Sequence, residues 1–99
     1  MVREVISKNS FKWDFRKAHK QGLIGENEIL EIQKIVQHIA NNEPLDAKYQ
    51  DHLLKHDYAG FRDCHIKPDL VLIYKIVENS VHLTRIGRHQ DLFKGYWKG

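Results

Sequence analysis

Ninety-nine residues are enough for one domain with a single core. Apolar residues make up 41% of the chain and charged residues 29%, a composition that excludes intrinsic disorder. No run approaches the roughly 18 consecutive apolar residues of a membrane span, and the first residues lack the apolar core of a signal peptide. The net charge of +3 permits a polyanionic partner without requiring one. The single cysteine, Cys64, rules out an internal disulfide and fits a reducing cytoplasm.

Residues 2–6, with their β-branched side chains, read as a first strand. Ser7, Asn9 and Ser10 then supply capping side chains, and Phe11, Phe15 and Ala18 recur at helical spacing opposite Lys12, Arg16, Lys17 and Lys20. That helix should stop near Gly22, with Gly25 in the turn. A second helix starts at Glu26. Ile29, Ile32, Val36 and Ile39 form its apolar face, widened by Ile35 and Ala40, and it ends at Asn41-Asn42 before Pro44.

Residues 44–60 have no sustained period and read as a loop with a turn or two of irregular helix. Residues 61–66 alternate, placing Phe61, Asp63 and His65 on one face and Arg62, Cys64 and Ile66 on the other. Lys67-Pro68-Asp69 is a tight connection, because proline fixes its own φ and biases Lys67 away from helix. Leu70–Val77 is apolar throughout and reads as a central strand covered on both faces. After a turn at Glu78-Asn79-Ser80, residues 81–86 form the last strand, with Val81, Leu83 and Arg85 on one side. Residues 90–93 suit a short helix, and residues 94–99 a basic, aromatic tail.

The order β-α-α-β-β-β implies one α+β domain over residues 1–99. Two N-terminal helices pack on one face of a largely antiparallel four-stranded sheet, and the open face carries the functional groups.

Titratable side chains crowd into residues 51–69, just ahead of the most apolar strand. Strand directions bring His65 and Asp69 to one end of the sheet. Arg85 and His89 return there from the last strand, and His52 can fold over from the loop. His52, His65, Asp69, Arg85 and His89 can therefore converge. Simpler roles exist for the other candidates. His19 and His38 fall in helices, and His82 stands alone in mid-strand. Asp63 could pair with Arg62, and Arg85 could form a surface salt bridge worth little. His52 and His56, four apart, could join His65 and Asp69 around a metal if residues 52–56 were helical. Cys64 points away from His65, which argues against a thiol nucleophile.

The pattern Asp51-His52-x-Leu54-Lys55-x-x-Tyr58-x-Gly60-x-Arg62-x-Cys64-His65-Ile66-x-Pro68-Asp69-x-x-Leu72-Ile73-Tyr74, followed by Arg85-x-Gly87-x-His89-x-x-Leu92-Phe93, resembles the YafQ type of the RelE-like family of bacterial toxin–antitoxin toxins. The resemblance implies a RelE-like fold and a toxin that acts as a ribosome-dependent mRNA endoribonuclease in the cytoplasm, restrained by a cognate antitoxin. It also implies functional roles for His52, His65, Asp69, Arg85 and His89, with Phe93 and Asp63 contributing to substrate binding. Leu53 and His56 depart from the pattern, standing where relatives commonly have proline and glycine, and the chain runs past Phe93, near which relatives usually stop.

Cleavage through the RNA's own 2′-hydroxyl needs a base, an acid and positive charge, all of which protein groups can supply without a metal or other cofactor. The reading assigns His52 as base, His89 as acid, Arg85 to the phosphate, and His65 with Asp69 to orientation. Phe93 is assigned to stack on a base. Two other functions fit the same scaffold: a gyrase-poisoning toxin of the ParE type, which would not need the histidines, and a non-catalytic binder of RNA or antitoxin.

Overall fold

The structure, a computed structural model, describes residues 2–93. The tail expected at residues 94–99 lies outside the described residues. Strand β1 (Glu4–Ser7) leads into helices α1 (Asn9–Lys20) and α2 (Glu26–Ala40). Strands β2 (His52–Leu53), β3 (Arg62–Lys67), β4 (Leu70–Val77) and β5 (Ser80–Gly87) follow, then a short helix α3 (His89–Leu92). The sheet order is β1-β5-β4-β3-β2, so β4 is central, and only the β1–β5 pairing is parallel. The α+β class stands. The sheet has five strands rather than four because His52 and Leu53, expected in a loop, pair with Asp63 and Arg62.

The expected caps of α1 are not used. Lys8 occupies the N-cap position, and the Ser10 hydroxyl donates to the Thr84 carbonyl at 2.6 Å, tying the helix to β5. Gly22, at φ +79°, ends the turn after α1 in a conformation that side chains disfavour. The first turn of α2 carries Glu26 and Glu28, favourably placed at the positive end of the helix dipole. Phe11 and Ala18 of α1 and Ile32, Ile35 and Ile39 of α2 bury against Cys64, Ile66, Leu70, Leu72, Tyr74, Val81, Leu83 and Ile86. This is the main core, and it occupies one face of the sheet.

An irregularity in the β4–β5 register corrects one expectation. Tyr74 lies opposite Leu83, but Ile73 lies opposite Arg85, which leaves Thr84 as an extra residue. A bulge of this kind reverses side-chain parity. Val81 and Leu83 face the helices, whereas Arg85 shares the other face with Ile73. That second face carries a smaller cluster of Leu54, Val71, Ile73, Leu92 and Phe93, because α3 folds back over it.

Candidate active site

On the face opposite the two helices, the pairings line up a row across four strands. His52, Asp63, Ile73 and Arg85 stand side by side, and His65, Val71 and Gly87 form the next row. At strand spacings of about 4.8 Å, the backbones of His52 and Arg85 are roughly 14 Å apart. The two ends of the row are therefore distinct places.

The His52 end is held from both sides. Before it, Asp51 accepts from the Tyr74 hydroxyl at 2.5 Å and from the Arg62 guanidinium at 3.2–3.3 Å. These bonds raise the Arg62 pKa, the Asp51 hydrogen bond contributing most, while burial pushes the Tyr74 hydroxyl up. After it, Leu54 is buried in the second cluster. His52 itself is half exposed, and its Nδ1 lies 2.7 Å from the carbonyl oxygen of Gln50. A carbonyl only accepts, so in neutral His52 the proton sits on Nδ1 and the Nε2 lone pair is available. The rings of His52 and His65 are 6.5 Å apart.

Asp63 lies beneath this pair with 1% of its surface exposed. Its Oδ1 is 3.0 Å from His52 Nδ1, close enough for an ion pair but not aligned as a hydrogen bond, and it has no other partner among the described residues. Burial raises the Asp63 pKa, and the electrostatic pull of His52, His65 and His89 opposes that rise. His89 begins α3, where its ring lies against Phe93 at a 45° tilt with centroids 4.6 Å apart.

The structure thus gathers His52, Asp63, His65 and His89, places Asp69 and Arg85 apart, and buries Phe93 behind His89. Asp69, in the β3–β4 turn, faces Arg88 at 3.7 Å. The Arg85 guanidinium turns to Asp14 of α1, with Nε at 2.5 Å from Oδ2 and a terminal nitrogen at 3.2 Å from Oδ1, and Asp14 also accepts from the Ile86 N–H. The Asp14 hydrogen bond is the main reason the Arg85 pKa is raised. Phe93, expected to stack on a base, is only 2% exposed; its ring meets Tyr58 edge-on and His89 at a tilt, so it offers no open face. The helix needed for His52 and His56 to act as paired metal ligands is replaced by β2 and a 3₁₀ turn (His56–Tyr58). Among the described residues no group of three or more His, Cys, Asp or Glu is arranged to hold a metal. Burial pushes the Cys64 thiol well above its ordinary value, away from nucleophilic use.

Sequence reasoning missed Asp14 and Gln50. Asp14 carried a legible signal: it lies three residues after Phe11 and four before Ala18, an acid inside the apolar stripe of α1. Gln50 acts through its carbonyl at a left-handed turn (φ 51°), which no side-chain pattern encodes.

The family described as bacterial toxin of type II toxin–antitoxin system, YafQ, matches residues 3–94. The mRNA interferase toxin YafQ of Escherichia coli strain B / BL21-DE3 is 32% identical over 92 residues, covering 92% of this chain and 96% of that protein. Among solved structures, the E. coli DinJ–YafQ toxin–antitoxin complex superposes with a TM-score of 0.80 at 30% identity, covering 94% of this chain and 99% of that one. A metal-bound toxin from Helicobacter pylori gives 0.80 at 37%, covering 94% and 100%.

Proposed function

The chain belongs to the YafQ family of type II toxin–antitoxin toxins, and on that premise we propose that it is an mRNA interferase, an endoribonuclease that cuts mRNA on translating ribosomes. The observation that carries the chemistry is the buried Asp63 beneath His52, His65 and His89, with His52 held so that Nε2 is its basic nitrogen. Nε2 of His52 takes the proton from the 2′-hydroxyl, whose oxygen attacks the adjacent phosphorus. The bond to the 5′-oxygen breaks, His89 protonates that oxygen, and a 2′,3′-cyclic phosphate and a 5′-hydroxyl remain. Each proton transfer typically contributes about 10²–10⁴-fold in rate.

Asp63 stabilises the imidazolium that forms at His52, whereas the sequence suggested His65 with Asp69 for orientation. His65 sits beside the reacting phosphate as a second imidazole. Asp69, through Arg88, braces the turn next to His65. Arg85 reaches phosphate only by exchanging Asp14 for it, and Phe93 holds His89 in place by packing. An antitoxin partner follows from the family and from the DinJ-bound relative, and the site of action is the cytoplasm, where translation occurs.

Ends of mRNA mapped on translating ribosomes test this reading. Wild type should generate new 5′ ends, and His52→Ala and His89→Ala should each lose about 10²-fold or more. Equal cutting by wild type and both variants would refute the assignment.

A further inference from the structure

Strand β2 covers only Arg62 and Asp63 of the outer β3 edge. Further along that edge, the 3₁₀ turn Ala47–Tyr49, the first turns of α2 and the end of β3 border an open cavity of about 650 Å³. That size is within the roughly 300–1,000 Å³ typical of small-ligand sites. Two residues join it to the candidate active site. His65 lines it, and so does Gln50, whose carbonyl fixes the His52 ring. The cavity and the histidine pair thus share His65 and the segment that ends in Gln50.

The lining is suited to a base edge. Glu31 is partly buried at the cavity wall, and one of its carboxylate oxygens accepts from the Tyr49 hydroxyl. Burial, ahead of that bond, pushes the Tyr49 pKa up to about 12, so the hydroxyl stays protonated and the geometry is held. The other Glu31 oxygen has no hydrogen-bond partner among the described residues, and Asn27 and Gln50 also line the cavity. A carboxylate repels phosphate but accepts from exocyclic amino groups, as acidic side chains do from cytosine N4. Adenine, cytosine and guanine carry such a group; uracil does not. Lys48 and Lys67 add positive charge around the cavity for the flanking backbone, and Lys67 is also 3.4 Å from Glu28.

We propose that this cavity binds the base adjacent to the cleaved phosphodiester and favours an amino-bearing base over uracil, with Glu31 as the discriminating group. The proposal rests on the nuclease reading of the neighbouring histidines, and two measurements on the 99-residue chain separate the two.

The first is a titration with adenosine, cytidine, guanosine and uridine 5′-monophosphates, followed by NMR. Amide signals of Asn27, Gln50 and Lys67 should move with the first three and far less with uridine monophosphate. Glu31→Gln should weaken the three by about fivefold, because a charge-assisted hydrogen bond becomes a neutral one. Glutamine still accepts from the Tyr49 hydroxyl, so an unchanged melting temperature checks the fold. The second is mapping of cut mRNA on translating ribosomes. Wild type should avoid uracil at one position flanking the cut, and Glu31→Gln should erode that bias. Equal binding of uridine monophosphate, movement of no cavity signal with any nucleotide, or a bias untouched by Glu31→Gln overturns the subsite. Selective binding without any cut mRNA keeps the pocket and removes the nuclease reading. Cut mRNA without a base bias does the reverse.

Discussion

The two faces of the sheet are built from the same strands and differ in what they bury. Toward the helices, Leu72, Ile86 and Val81 alternate with outward-facing neighbours and meet Ile32, Ile35 and Ile39 in a continuous apolar layer. On the other face the apolar cover is a small cluster in which Leu92 of α3 and Phe93 meet Leu54, Val71 and Ile73, and the row through Asp63 leaves that cover at His52, which is half exposed. Stability is concentrated on the first face, and a rigid strand on that side is what holds the polar row on the second. Asp63 belongs to both. It is as buried as a core residue, yet its neighbours are imidazoles rather than methyl groups.

Substitutions on the two faces should separate stability from activity. Leu72→Ala removes a fully buried side chain from the helix-covered core and should cost about 2–5 kcal/mol in urea unfolding, with activity lost only in proportion to the unfolded fraction.

Asp63→Asn should act in the opposite sense. Burial raises the Asp63 pKa above its ordinary 3.8, so the native state binds the proton more readily than the unfolded chain does. Its contribution to stability is then fullest below 3.8 and is lost as pH rises through the raised native value. At neutral pH the neutral isostere should stabilise the fold by about 1 kcal/mol, while mRNA cutting falls because the imidazolium formed at His52 loses its buried counter-charge. A destabilised Asp63→Asn protein at pH 7, with unchanged cutting by its folded fraction, would show that the buried charge is structural.

His56 provides the smallest effect. It is exposed, opens a 3₁₀ turn and has φ +60°, a conformation that costs a side chain but not glycine. His56→Gly should raise stability by about 0.5–1 kcal/mol in thermal or urea melts and leave cutting unchanged. A loss of cutting would place His56 inside the functional face.

Periodicity alone was enough to locate both long helices, the central strand and the side of β3 that carries Asp63 and His65, because burial on one face imposes a 3.6- or two-residue repeat that any reader of the chain can count. That His52, His65 and His89 come near one another was expected for a different reason, the directions of the strands and the resemblance carried by residues 51–93. What the chain order could not reveal is decided by one bulged residue and one carbonyl. Thr84 breaks the two-residue alternation and turns Arg85 over to the open face, where Asp14 of a distant helix takes its charge. The carbonyl of Gln50, identical in composition to every other, selects the His52 tautomer solely by where the fold puts it. Side-chain chemistry was determined residue by residue along the chain; pairing, burial and proton position arose only when segments far apart in sequence met, since those depend on distances that no local pattern contains.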